Sequence, residues 1–341
     1  MAGETLAMTS RLERGSLVTV FGGSGFLGRY AIRALASDGW RIRAATRRPD
    51  LAGHLQPMGA VGQIHAVQAN LRYPDSVRRA VEGADAVVNL VGILAECRFC
   101  LARSARQTFQ AVHVAGARAA ASAAREAGAK TFVHVSAIGA DRKYWAKYAR
   151  TKAAGEAAVL AEFPSAVILR PSLVFGPEDQ LFNRFAAMAR RSPLLPLIGG
   201  GKTKFQPVYV GDVAAAIAAA CSGKGKPRAI YELGGPDIVT FRQLLDEVQR
   251  WSGRSRRYLP VPFWLAQIGA FLTLPLPHGL RPLTVDQVRM LMRSNVVGET
   301  AVKEGRTLQG LGIESPHAMA TIVPPYLERF QPHGQFAHYR S

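Results

Sequence analysis

"VTVFGGSGFLGRY", Val18–Tyr30, decides how the rest of this 341-residue chain is read. An apolar, β-branched run ends in three glycines spaced three apart, Gly22, Gly25 and Gly28, and a helical run follows at once. Glycines at this spacing carry meaning when they turn a strand into a helix. The first allows the tight turn, the second lets backbone approach a pyrophosphate, and the third lets the helix pack on the strand. Free N–H groups at the helix start then face the phosphates. The loop, with Ser24, Phe26 and Leu27 beside its glycines, is expected to cradle a dinucleotide.

Outward from the loop, strand-like and helical runs alternate. "RIRAAT", "QIHAVQA", "DAVVNLVG", "TFVHVS" and "SAVILR" read as strands. Phe26–Ser37, "PDSVRRAVEG", Thr108–Ala127 and Tyr144–Glu162 read as helices. This alternation predicts an α/β fold of Rossmann type, a doubly wound parallel sheet with helices on both faces. The regularity breaks down after about Arg170. The expected division is an N-terminal leader (1–16), the core of the dinucleotide-binding domain (17–175), a smaller C-terminal lobe partly returning to the sheet (176–300), and a C-terminal arm (301–341). Within the lobe, "AIYELGG" reads as a strand and Thr240 as the N-cap of "FRQLLDEVQRW". "TVDQVRMLMRSN", 284–295, reads as a helix with Val285, Val288, Leu291 and Met292 on one stripe.

The end of the second strand selects the dinucleotide. An acid there would bind a ribose 2′-hydroxyl and favour NAD. The run is instead Ala44, Ala45, Thr46, Arg47, Arg48, and guanidinium pairs bidentately with phosphate. NADP(H) is therefore expected, with Arg47 and Arg48 on its 2′-phosphate. Asn70 and Leu71, after the third strand, are placed along the adenine. Val91, Gly92 and Ile93, after the fourth, are placed where backbone passes close to the cofactor.

Composition bounds the rest. Forty-three Lys and Arg face 24 Asp and Glu, a net charge of +19 that draws the chain to anionic surfaces. No compact basic–aromatic motif points to nucleic acid. Three cysteines make no disulfide framework, and "CRFC" (Cys97, Cys100) lacks a second ligand pair, so no metal is expected. No run reaches the 18 apolar residues of a membrane span, and the first 16 residues do not read as a secretory signal. "RSRRYLPVPFWLAQIGAFLTLPLPHGLRPL", Arg254–Leu283, sets an apolar dozen between arginines. Trp264 and its basic flanks suit a headgroup-level position. A core helix and a docking face on a partner remain open beside it.

"YARTK" puts Tyr148 and Lys152 four apart, on one helix face. With "GGSGFLG", "NLVG", "VHVSAIGAD", "RPSLVFGPED" and "PVYVGDVA", it makes Val18–Gly235 resemble the short-chain dehydrogenase/reductase superfamily. The resemblance implies that Lys152 binds the nicotinamide ribose and lowers the Tyr148 phenol pKa. It implies that Tyr148 moves a proton, and that Pro171 and Leu173 pass the nicotinamide. It also implies a catalytic hydroxyl about two residues past the first serine. That serine is Ser136, and two residues on stands Ile138, which cannot hydrogen-bond a carbonyl. Ser136 is the remaining candidate hydroxyl.

A narrower resemblance covers Val18 to about Arg293. "LQPMGAVGQ", "NLVGIL", "QTFQAVHVAGARA", "YARTKAAGEAAV", "FGPEDQLFNRFAAMAR" and "LPVPFWLAQIGAFLTLPLP" are similar to the dehydrogenase-like accessory subunits of respiratory complex I (NADH:ubiquinone oxidoreductase), in their bacterial form. The insert "ECRFCLARSAR" departs from that pattern. The resemblance implies a tightly held NADPH kept for stability or assembly, other complex I subunits as partners, and a peripheral place on the cytoplasmic face of the bacterial inner membrane. Three readings follow. The first is a non-catalytic accessory subunit. The second is a free-standing NADP(H)-dependent reductase or epimerase using Tyr148 and Lys152. The third is a cofactor-sensing regulator.

Overall fold

The computed structural model describes residues 15–96, 107–273, 283–332 and 334; Cys97 and Cys100 lie outside them. Seven strands, β1 (Leu17–Phe21), β2 (Arg41–Thr46), β3 (Ile64–Gln68), β4 (Ala86–Asn89), β5 (Thr131–Val135), β6 (Val167–Pro171) and β7 (Ile230–Leu233), form one sheet in the order β7-β6-β5-β4-β1-β2-β3. Every pairing in it is parallel. The order reverses between β1 and β4, and in an open α/β sheet ligands bind at that point, beyond the strand ends.

Strand alternation divides the core in two. Val18, Val20, Ala86 and Val88 face one layer, made by α1 (Phe26–Ser37) and α6 (Val210–Cys221). Phe21 and Val87 face the other, made by α2 (Pro74–Val81), α3 (Ala117–Glu126) and α4 (Lys147–Glu162). Successive strand side chains point to opposite faces, so a sheet covered on both sides reads as continuous apolar runs. Ala117, Ala120, Ala121 and Ala124 of α3 are fully buried, so the helix backbone lies close on the sheet.

Beyond the sheet, α5 (Leu181–Arg191), α7 (Phe241–Trp251), α8 (Phe263–Leu272), α9 (Val285–Met290), α10 (Glu299–Lys303) and α11 (Met319–Leu327) build the smaller lobe and the return path. Its core joins Phe175, Phe182, Leu244 and Val248 to Met319, Val323 and Leu327. Thr240 caps α7 in a reciprocal box: its hydroxyl accepts from the Gln243 N–H, and the Gln243 side chain accepts from Thr240 N–H.

Four features differ from the sequence expectations, each for a physical reason. The helix read over Thr108–Ala127 opens as a π-helical turn, Gln110–Gly116, before the α3 geometry sets in. The helix read from Tyr144 begins at Lys147, because Ala146 is extended and the Tyr144 hydroxyl is drawn to the Arg289 carbonyl. The helix read over 284–295 ends at Met290, because the chain leaves it to pair Asn295 with Lys204 and Phe205. Its Met292 is exposed instead of lying on a buried stripe. The segment read as a C-terminal arm packs on its own chain as far as described: Leu308 and Leu311 join the sheet's core, and α11 joins the lobe.

Candidate functional site: the cleft at the β1–β4 switch point

The glycine loop fits a pyrophosphate by what it excludes. Gly22 takes φ +83°, and a Cβ on Gly28 would lie 2.3 Å from the Gly22 carbonyl oxygen. Helix α1 starts at Phe26 with no side-chain cap and no acid in its first turn. Its first N–H groups, on Phe26, Leu27 and Gly28, are thus left to a ligand, and the helix dipole favours an anion there.

At the end of β2 the two arginines part company. Arg48 is tied to Asp50, with Nη2 2.7 Å and Nε 3.0 Å from its carboxylate oxygens. Arg47 is exposed and has no ion pair among the described residues. Beyond β3, the Asn70 side-chain oxygen accepts the Arg72 N–H at 3.1 Å, which leaves its NH2 as the group that can meet a base edge. Leu71 is buried beside it.

Past β4 the cleft acquires a polar floor that the sequence did not announce. Asn89, fully buried, accepts the Val91 N–H on its side-chain oxygen and sets its NH2 3.3 Å from Nδ1 of buried His134. The Ile93 N–H donates to His113 Nε2 at 3.1 Å. On the ring's other side, Nδ1 lies 3.1 Å from the Thr151 hydroxyl, whose own proton goes to the Lys147 or Tyr148 carbonyl. His113 is therefore neutral, with its proton on Nδ1. Burial first, and the nearby Lys152 second, push both histidines down to about 3. Gly92 closes the group: a Cβ on it would stand 3.2 Å from Lys152 Nζ.

Lys152 and Tyr148 project from α4 onto this floor. Lys152 is buried and donates to the Val135 carbonyl at 3.2 Å. Burial draws its ammonium down to about 8 despite the charge of Glu156 one turn on. The Tyr148 ring meets Phe109 and His113 edge-on, at 5.9 and 5.4 Å between centroids. Its phenol is pushed up to about 12 by burial. Ser136 is buried, and its hydroxyl has no partner among the described residues. Ile138 is also buried, its N–H held by the Pro171 carbonyl at the end of β6. Leu173 packs into the clusters of the smaller lobe.

A strand–glycine–helix loop and a Tyr-x-x-x-Lys helix thus meet at one switch point. The model of the NAD dependent epimerase/dehydratase family matches residues 18–234. The chain belongs to that family. Among the relatives of this epimerase/dehydratase member is NADH dehydrogenase [ubiquinone] 1 alpha subcomplex subunit 9 of Arabidopsis thaliana mitochondria. It is 36% identical over 302 residues, covering 85% of this chain and 73% of the relative. A ceramide reductase of Caulobacter vibrioides is 37% identical over 205 residues, 60% of this chain and 61% of that protein. Among solved structures, the NADPH-dependent quinone oxidoreductase of Escherichia coli, in complex with NADPH, superposes with a TM-score of 0.66. That match is 22% identical and covers 89% of this chain and 97% of the other.

The structure brings the glycine loop, the strand ends and the Tyr148–Lys152 helix to one cleft. The sequence expectations did not include Asn89 as a hydrogen-bonding hub, nor His113, His134 and Asp286 at all. A lone histidine in an apolar run gives no sign of its partners. Asp286 lies 138 residues from the tyrosine whose backbone it holds.

Proposed function

We infer that this chain is an accessory NADP(H)-binding subunit of respiratory NADH:ubiquinone oxidoreductase, its cofactor held mainly for stability or assembly. One observation carries the reading. Similarity to the Arabidopsis subunit covers 85% of the chain, well past the 18–234 that the family model takes, so it extends into the smaller lobe. The ceramide reductase match covers 60%.

The residues present fit NADP(H). The Gly22–Gly28 loop and the first turn of α1 would hold the pyrophosphate. Arg47 would hold the 2′-phosphate, and Asn70 and Leu71 the adenine. Val91, Gly92 and Ile93 would line the nicotinamide half, with Tyr148 and Lys152 on the ribose and Pro171 and Leu173 on the ring. When bound, the nicotinamide supplies a hydride, whose acceptor the chain does not identify. What the chain's own groups do is bind. The buried Lys152 ammonium keeps its remaining donors for the ribose. Tyr148, held protonated by burial, donates its phenol hydrogen. Arg48 is engaged with Asp50 and leaves the 2′-phosphate to Arg47. A ligand that binds the native state alone, at a thousandfold its Kd, stabilises it by about 4 kcal/mol.

The partners are other complex I subunits, and the place is peripheral, on the cytoplasmic face of the bacterial inner membrane. Among the described residues no helix is long and apolar enough to cross a membrane. Helix α8 supports surface attachment: of its ten residues only Ala270 is buried, while Trp264 is 64% and Phe271 65% exposed. The apolar face would meet acyl chains and the nearby arginines the headgroups. The test is gentle solubilisation of membranes. The chain should migrate in a large assembly with NADH:quinone activity and release NADPH on denaturation. Recovery as a free soluble monomer would end the reading.

A second reading, a reductase acting alone, is favoured by the intact Tyr148–Lys152 pair and the ceramide reductase relative. Turnover of bound NADPH with a carbonyl substrate that vanishes in Tyr148→Phe would establish it. Ile138, where the resemblance expects a hydroxyl, weighs against it.

A further inference from the structure

Helix α4, which carries Tyr148 and Lys152, is not capped by its own sequence. Its N-cap residue is Ala146, in extended conformation and without a side-chain hydrogen bond. Alanine is among the poorest N-caps because it offers no acceptor to the first-turn N–H groups. The acceptor comes from the far end of the chain. Asp286, in the first turn of α9, takes the Lys147 N–H on one carboxylate oxygen at 2.8 Å and the Tyr148 N–H on the other at 2.7 Å. A carboxylate at this end of a helix also answers its dipole.

Further contacts bind the segment that leads into α4. The Tyr144 hydroxyl donates to the Arg289 carbonyl of α9 at 2.8 Å. The Arg289 guanidinium lies over the Trp145 ring at 5.1 Å, and Arg293 pairs with Asp141 at 3.1 Å. Helix α9 also packs against α8, whose apolar residues are exposed. The bond to Asp286 is therefore a direct link between the exposed lobe and the backbone of the tyrosine in the cleft.

We propose that Asp286 is a positioning residue that couples the α8–α9 lobe to the dinucleotide cleft through the first turn of α4. A dinucleotide that engages Tyr148 and Lys152 steadies that turn, and through Asp286 it steadies α9. Attachment of the lobe to a partner or surface steadies Asp286, and through it the cleft. Such coupling is reciprocal: whatever factor the nucleotide lends to the lobe, the lobe returns to the nucleotide. The inference rests on the cleft's reading as a dinucleotide site, and Asp286 need touch neither ligand.

The test is hydrogen exchange of the full chain, with and without NADPH, on the wild type, Asp286→Ala and Asp286→Asn. Without nucleotide, Asp286→Ala should speed exchange at the Lys147 and Tyr148 amides by about tenfold, the scale of a lost N-cap. In the wild type, NADPH should slow exchange across residues 283–292 as well as in the first turn of α4. In Asp286→Ala, NADPH should bind several-fold more weakly, and at saturation it should leave 283–292 unprotected. Asp286→Asn keeps one acceptor oxygen and should fall between. It also supplies the answer if the alanine variant does not fold. Loss of global stability alone would lower protection everywhere and would not erase the nucleotide's effect on 283–292 selectively. If the wild type binds no dinucleotide, the cleft assignment fails and the coupling with it. If it binds but 283–292 exchanges equally with and without NADPH, or is still protected in Asp286→Ala, the coupling alone is overturned.

Discussion

The sheet and helix α8 use the same kind of residue to opposite ends. Val18, Val20, Val87 and Val88 are fully buried in strands covered on both faces. Trp264, Phe271 and Leu272, just as apolar, stand 64–70% exposed on a ten-residue helix flanked by arginines. Burial of the first set holds the fold. Exposure of the second contributes nothing to the isolated chain, and a patch of this kind marks a surface that meets something else. The difference also separates two kinds of sensitivity. Near the glycine loop, substitutions should act on the fold and on nucleotide binding together, whereas on α8 they should act on association alone.

The largest expected effect is at Gly28. In Gly28→Val the added atoms meet two loop carbonyls, the nearer 2.3 Å from the Cβ. The variant should lose ~3 kcal/mol of stability by denaturant titration and carry no nucleotide. Normal stability with bound NADPH would break the contrast between the two regions.

The next is a pH effect at Lys152. Burial lowers its ammonium to about 8, while in the unfolded chain the proton stays to about 10.4. Between these values the unfolded state binds more protons, so stability of the nucleotide-free chain should rise with pH, by ~2–3 kcal/mol from pH 8 to 10. Thermal melts of Lys152→Met should lack that rise. NADPH affinity should fall over the same window as the ammonium is lost.

Arg47→Ala should weaken NADPH by ~10–100-fold in a fluorescence titration, the scale of hydrogen bonds to a charged group, and leave NADH nearly unchanged. Arg48→Ala should do much less, since Asp50 already holds that guanidinium. Equal losses for both nucleotides would remove the 2′-phosphate role.

The smallest effect on the fold is expected on α8. Trp264→Glu should change stability by less than ~0.5 kcal/mol, as for other surface positions, while abolishing sedimentation with vesicles of anionic lipid. A large stability loss instead would mean that the face is covered within the chain itself.

Much of the fold was legible because its signals are local. Three glycines after a β-branched run, and strands alternating with helices, leave few topologies once crossovers are right-handed. Thr240 marked the start of α7 as an N-cap residue, and the structure adds Gln243 as its reciprocal partner. The Tyr148–Lys152 pair was legible from helix period together with its place one helix after "VHVS" and the family resemblance. The start of α4 was not, because the group that sets it is a carboxylate on α9. Nor was the end of α9, set by a β-bridge between Asn295 and Phe205.

By itself, then, the sequence determined the Rossmann-type sheet, the place of the glycine loop at the mouth of the cleft and the presence of Arg47 at the end of β2. These follow from periodicity, from the glycine's missing side chain and from charge, none of which needs a distant partner. Tertiary structure alone decided that Arg48 is engaged by Asp50, that His113 and His134 are buried neutral beneath Lys152, that α8 faces outward, and that Asp286 holds Tyr148. Each depends on which groups meet across long stretches of chain or around a turn, and on how much water is left between them when they do.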